Sequence, residues 1–427
     1  MAPDLAPDPS GSAGGTSTPS TSTSVVVVLG ALSAFGPLSL DLYLPGLPSV
    51  ADDLGASASA TQATLTACLL GLACGQLVSG PLSDARGRRG PLLAGVGAYV
   101  VASLACALAP SVTTLIALRF VQGLAGSAGI VISRAVVRDL RSGAEAARLY
   151  AALLLVNSTA PIAAPILGGA LLQVTSWRGV FLVLAGLGAL IFAGTHRVIA
   201  ETHPLAARAP TSARATLGLM ARLMQERRFL GCMLSCGLGL AAMFAYIAGA
   251  PFVLQDLYGL SPGQFSLAFA GNSVGILGAG AAGSRLLRRV RPVTVLGAGL
   301  GLGLVGGSAL LAVIATGAVG LPGVAPALFL VVSSVGLVVP SATAIAMAGQ
   351  PSIAGTAAAL LGVAQYATGA ALAPLVGLAG RGTAIPMAVV IFGCGLAAAA
   401  AWLLLVRPAE QRAVRDRVRT PKPPMSP

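Results

Sequence analysis

The sequence predicts an all-α integral membrane protein whose twelve transmembrane helices form two six-helix halves. Three observations carry this. Of the 427 residues, 56% are hydrophobic and only 9% charged, with a mean hydropathy of +0.87, more apolar than a soluble core of this size needs. The apolar residues gather into six segments before and six after one long polar connection, each near the ~20 residues that cross a bilayer. The 55 glycines suit helices that approach closely in lipid, where small residues let backbones meet.

Residues 1–23 are rich in Pro, Ser, Thr and Gly and lack Lys and Arg, which predicts a disordered cytoplasmic tail and not a signal peptide. An N-terminal half over 24–196 holds apolar segments at 24–46, 62–83, 91–110, 113–137, 147–173 and 179–196. Residues 197–228 break the pattern with Arg197, Arg208, Arg214, Arg222, Arg227 and Arg228, marking a cytoplasmic central loop. A C-terminal half over 229–406 repeats the layout at 229–254, 264–284, 293–316, 324–347, 354–379 and 384–406, before a basic tail over 407–427. A faint internal repeat supports the division, since Gly80, Arg88 and Arg89 return as Gly280, Arg288 and Arg289.

Charge placement sets the orientation. Cytoplasmic loops retain Lys and Arg during insertion. With the N-terminus inside, every Lys and Arg except Arg119, Arg178 and Arg381 falls on the cytoplasmic side. The net charge of +13 therefore reports topology, and no nucleic-acid partner is expected. The expected location is the inner or plasma membrane, multi-pass, with both termini cytoplasmic.

Among the acidic residues only Asp41 lies in an apolar span, within Ser39-Leu40-Asp41-Leu42-Tyr43-Leu44-Pro45. Insertion of such a group costs at least ~2.5 kcal/mol, so a functional role is the default reading. Arg119, in Leu118-Arg119-Phe120-Val121-Gln122-Gly123, sits at a similar depth. A pair between the two across the first half is geometrically possible, with Arg119 tuning protonation of Asp41. Pro161, Pro165 and Gly169, beside Gly168, place kinking or small residues on successive turns of one helix face. Tyr43, Asn157, Phe244, Tyr246, Asn272, Gln365 and Tyr366 are the polar or aromatic candidates for lining a cargo cavity. The six cysteines lie in apolar runs without a C-x-x-C pair and read as packing residues. His196 and His203 have no metal-like partner spacing, so no metal is expected. No phosphate-loop motif and no catalytic set are present, which argues against an ATP-driven pump and against an enzyme.

The loop Gly80-Pro81-Leu82-Ser83-Asp84-Ala85-Arg86-Gly87-Arg88-Arg89-Gly90 resembles the signature loop of the major facilitator superfamily, with Ala85 where a basic residue is common. Arg119, Gln122 and Gly123 resemble its proton-coupling motif, and Pro161 to Gly169 its antiporter motif. Together with Asp41-Leu42-Tyr43-Leu44-Pro45, Val131 to Leu140, Ser176-Trp177-Arg178, Phe244-Ala245-Tyr246-Ile247 and Tyr258-Gly259-Leu260-Ser261-Pro262, the set resembles the bicyclomycin and chloramphenicol resistance (Bcr/CflA) drug-efflux branch. That resemblance implies a twelve-helix multidrug efflux antiporter conferring antibiotic resistance, exporting small organic compounds by alternating access and drawing on the proton gradient without a cofactor. It also implies that Gly80, Asp84, Gly87, Arg88 and Arg89 latch the halves in one state, and that Asp41 and Arg119 belong to the coupling site. The expected partners are a small-molecule drug or metabolite, protons and the lipid bilayer, with the protein a monomer. A proton-coupled exporter or symporter of one specific metabolite is the alternative.

Overall fold

A computed structural model describes residues 23–141, 143–203, 213–317, 319–348 and 354–412. The predicted N-terminal tail, the middle of the central connection and most of the basic C-terminal tail lie outside these. The described residues are all-helical: α1 (Thr23–Ser33), α2 (Phe35–Asp41), α3 (Leu47–Asp53), α4 (Ala58–Arg86), α5 (Arg89–Ala107), α6 (Val112–Leu140), α7 (Gly143–Leu171), α8 (Trp177–Val198), α9 (Ala213–Gln225), α10 (Arg227–Pro251), α11 (Pro262–Leu286), α12 (Pro292–Thr316), α13 (Leu321–Met347), α14 (Ala354–Leu372) and α15 (Ile385–Ala401). Eleven are long and apolar enough to cross a membrane, and twelve crossings result when α1 and the segment Phe35–Asp53, bent by 44°, count as one broken span. The protein is a multi-pass integral membrane protein.

Two expectations need correction. The first span is not one helix over 24–46 but three short pieces with a tight turn at Leu44–Gly46. Prolines explain both breaks. A helical carbonyl accepts from the N–H four residues on, and proline has none. Pro37 thus removes the partner of the Ser33 carbonyl, where α1 ends, and Pro45 removes the partner of the Asp41 carbonyl, where α2 ends. The central connection, for its part, is not simply a loop, because α9 forms in it and packs on α10 and α14.

Several helices start at hydroxyl caps read directly from sequence. Ser57 and Ser111 accept the backbone N–H of Ala60 and Thr114, both at 3.2 Å, and Ser261 forms a reciprocal capping box with Gln264. The crossing of α4 on α6 is a close one. A methyl group on Gly71 would lie 2.1 Å from the Phe120 carbonyl, and one on Gly123 would lie 2.2 Å from that of Cys68.

The core is divided unevenly along the bundle. At the end carrying the α3–α4 turn, one continuous apolar cluster joins the first helices (Leu44, Leu65, Phe181) to the later ones (Phe244, Phe265, Met387). Toward the opposite, arginine-rich end, two separate clusters form. One gathers Leu29, Phe35, Tyr99 and Val136, and the other Phe229, Leu296, Ile345 and Val406. The helices before and after the central connection are thus fused at one end and independent at the other.

The crossing of α4 and α6 has no room for a larger residue. Gly123→Val is expected to destabilise the protein by at least ~2 kcal/mol, as overpacking forces the backbones apart. Thermal unfolding of the purified protein in detergent checks this, and an unchanged Tm would contradict the contact.

Candidate functional site

Asp41 ends α2 at the Pro45 break, and its side chain points away from Arg119. Residues two apart on a helix face nearly opposite directions, at about 100° per residue. Tyr43 and the Ser39 carbonyl face α6, leaving Asp41 to face the later helices. The Arg119 guanidinium, fully buried, donates to Gln122 Oε1 at 2.5 Å and to the Ser39 carbonyl at 2.9 Å. It lies 5.1 Å from the Tyr43 ring centre and 5.5 Å from that of Phe181. Gln122 passes the chain on, donating to Ser103 Oγ at 2.7 Å. The expected direct pair between Asp41 and Arg119 is therefore not made. Arg119 instead ties α6 to the broken first span.

Asp41 borders a cavity of about 170 Å³ between the two helix groups. Phe244, Tyr246, Gln365 and Tyr366, all expected as cargo residues, line it with Asp41. Three other expectations are placed elsewhere. Tyr43 is fully buried among the first helices, 3.3 Å from Thr64 Oγ1. Asn272 stands behind the wall, donating to the Tyr246 hydroxyl at 2.8 Å. Asn157 is not among the lining residues. Pro37, Pro161, Met243, Phe269 and Ser273 complete much of the wall. Among the described residues the Asp41 carboxylate, although 5% exposed, takes no hydrogen bond or ion pair. It is the one charged side chain in the lining.

The α7 stretch works through its backbone. Pro165 supplies no N–H to the Pro161 carbonyl, which is instead met by Ser273 Oγ of α11 at 3.2 Å. One turn pair further on, Gly168 lets the Leu42 carbonyl approach, since a methyl there would lie 2.2 Å from it, and Gly169 likewise admits Ser266 of α11. Sequence spacing located this face; the residues meeting it, Leu42, Ser266 and Ser273, carried no signal of their own.

At the α3–α4 end, Gln62 Nε2 donates to the Ala248 carbonyl at 3.1 Å, Gln255 to that of Pro45 at 3.2 Å, and Arg381 to that of Pro48 at 3.0 Å. Arg381 also pairs with Asp52 at 2.7 Å and lies 3.5 Å from Asp256. Arg178 pairs with Asp53, which also accepts from Trp177 Nε1 at 3.0 Å. The two arginines that the sequence assigns outside are thus both neutralised by adjacent aspartates.

At the arginine-rich end, Gly87 takes φ +92°, open to glycine, and turns the chain so that Arg88 folds back under it. Arg88 is fully buried and donates to Asp84 Oδ1 at 2.5 Å, Ser83 Oγ at 2.8 Å and Asp139 Oδ2 at 2.8 Å. Burial works against its charge, but the bonds to Asp139 and Asp84 outweigh that and hold the guanidinium above its ordinary range. The backbone N–H groups of Arg88 and Arg89 donate to Glu201 at 2.8 and 3.2 Å, and the Arg89 side chain reaches the carbonyls of Ile199 and His196. Ser83, Asp84, Asp139 and His196 belong to helices α4, α6 and α8, and Ile199 and Glu201 to the start of the central connection. Asp139 and Glu201 were not anticipated as partners, because nothing in their spacing links them to residues 84–89.

Residues 27–374 match the sequence profile of the Major Facilitator Superfamily. The chain belongs to that superfamily. It is 40% identical over 370 residues to an uncharacterized MFS-type transporter, YdgK, of Bacillus subtilis, covering 86% of this chain and 91% of that one. It is 32% identical over 383 residues to a bicyclomycin resistance protein homolog of Haemophilus influenzae, covering 89% and 95%. Among solved structures, the fold is similar to that of the nucleoside transporter NupG, with a TM-score of 0.74 at 13% identity, covering 90% of this chain and all of that one. This superfamily member is a transporter and not an enzyme.

Removing Arg88 leaves the largely buried Asp139 side chain without its cation and Asp84 to solvent. Arg88→Ala is expected to lower stability by ~3 kcal/mol, and Arg88→Lys to rescue only part of it, since an ammonium lacks the planar fork that meets Asp84 and Asp139 together. Thermal unfolding of the two variants checks this, and full rescue by lysine would refute the forked arrangement.

Proposed function

We propose that this transporter is a proton-coupled multidrug antiporter of the Bcr/CflA branch, exporting small organic compounds from the cytoplasm by alternating access of two six-helix halves. The observation that carries the reading is Asp41. A carboxylate without a protein partner, in an apolar cavity between the helix groups, is a group whose charge a proton or a cargo must balance.

In the proposed cycle, deprotonated Asp41 holds a polar or cationic part of the cargo while the cavity is open to the cytoplasm. Protonation from the outside removes that hold and favours release outward. Return of the proton to the cytoplasm resets the site. With one such acid, one proton per cycle is the simplest stoichiometry. Arg119 acts here as a structural anchor for the broken first span, which keeps Asp41 aimed at the cavity.

The uneven core supports the alternating-access part of the reading. With the positive-inside orientation, the end joined by Gln62, Gln255 and Arg381 faces outward. The present arrangement is then the outward-closed state. The Arg88 cluster, confined to one half here, is the proposed latch surface that meets the other half in the opposite state. The plasma membrane, with both termini cytoplasmic, is the proposed location.

Proton movement in inside-out vesicles tests this, with amphenicols, bicyclomycin-type compounds and lipophilic cations as the panel. Wild type is expected to release luminal protons with at least one compound, and Asp41→Asn to abolish the response while inserting normally. Equal responses would make Asp41 structural. No response to any compound, with uptake or release of a single metabolite instead, would favour the narrow metabolite carrier.

A further inference from the structure

The cavity offers a second acceptor beside Asp41, and the cause lies in the backbone of α7. Because Pro165 has no N–H, the Pro161 carbonyl has no partner inside its own helix. Ser273 Oγ meets it at 3.2 Å but also lies 3.1 Å from the Phe269 carbonyl of its own helix. A hydroxyl has one proton and donates to one acceptor at a time. Turning toward Phe269 releases the Pro161 carbonyl without stranding any donor. Pro161, Ser273 and Phe269 border the same 170 Å³ space as Asp41.

The other polar side chains of the wall are Tyr246, Gln365 and Tyr366, the last making no hydrogen bond among the described residues. The Gln365 amide donates to Cys236 Sγ at 3.1 Å, and the Tyr246 hydroxyl accepts from Asn272. What remains for a guest is the Asp41 carboxyl group, one releasable neutral carbonyl, the hydroxyls of Tyr246 and Tyr366, the remaining valences of the Gln365 amide, and apolar or aromatic surface from Met243, Phe244 and Ile276.

We propose that the site prefers a compact ammonium cargo that still carries N–H bonds, a primary or secondary amine on a small apolar body, with one N–H on Asp41 and another on the Pro161 carbonyl. This rests on the cavity being the cargo site. Charge alone would not discriminate, since a quaternary ammonium satisfies both Asp41 and the aromatic walls. The second acceptor does discriminate, because only an N–H can replace the Ser273 hydroxyl on the Pro161 carbonyl, a bond that the quaternary cation lacks and that is worth about tenfold in affinity. Volume adds a limit: a cavity of about 170 Å³ takes a single ring with a short amine arm more readily than a polycyclic dye.

Calorimetric titration of the purified full-length protein tests this, using 2-phenylethylamine, its N,N,N-trimethyl derivative and its N-acetyl derivative at a pH where the amine is protonated. Wild type is expected to bind the primary amine about tenfold or more tighter than either derivative. Pro165→Ala returns an N–H to the Pro161 carbonyl and is expected to erase the preference over the trimethyl compound while keeping the binding of the latter. Ser273→Ala leaves the carbonyl open and is expected to keep or enlarge the preference, and Asp41→Asn to weaken both cations. Equal binding of the primary and trimethyl compounds to wild type, or a preference that survives Pro165→Ala, would overturn the proposal. Binding of an amphenicol but of no phenylethyl compound would overturn it too, while leaving the drug-export reading standing. Binding of nothing from either set would remove both.

Discussion

A backbone carbonyl in hydrocarbon has no water to turn to, and an unmatched one costs several kcal/mol. This constraint organises the contact between the two helix groups. Pro165 frees the Pro161 carbonyl, and side chains of the opposite group meet it and the carbonyls of Pro45, Pro48 and Ala248: Ser273, Gln255, Arg381 and Gln62 in turn. The contact surface is therefore polar at chosen points and apolar between them. Such bonds are directional yet individually modest. They suit a surface that, in the proposed cycle, holds its register and still parts.

The same economy places the charges. Buried cations are surrounded by fixed acceptors: Arg119 by Gln122, the Ser39 carbonyl and two aromatic rings, and Arg88 by Asp84, Asp139 and Ser83. Each ties a turn or broken segment to a continuous helix. Among the described buried acidic and basic side chains Asp41 alone departs from this rule, and it does so beside the cavity. An ionisable group that the fold leaves unmatched is where a mobile partner has the most influence, which links the packing of the first span to the proposed cycle.

The uneven core has a mechanical consequence. One apolar cluster runs across both groups at the end with the α3–α4 turn, while the arginine-rich end holds two clusters that do not merge. Separate cores let each group keep its internal packing when the shared cluster is divided and rejoined. Large relative motion then requires repacking one surface only, with the close glycine crossings of α4 on α6 left intact.

Much was legible in the sequence because the bilayer imposes one-dimensional rules. Segment length and apolar composition report spans, arginine placement sets an expected orientation, and a lone acid in a span marks a candidate position, all without knowledge of neighbours. Those rules found the spans, Asp41, the α7 face and four members of the cavity wall. Pro37 and Pro45 were also in plain view as the signal for the broken first span. What only the tertiary structure decided was partnership. That Arg119 binds Ser39 and Gln122 and not Asp41, that Tyr43 turns away from the cavity, and that Ser273, Asp139 and Glu201 complete three separate contacts depend on helix rotation and crossing. Depth along a span follows from counting residues; the direction a side chain faces depends on packing against helices distant in the chain, which no local pattern encodes.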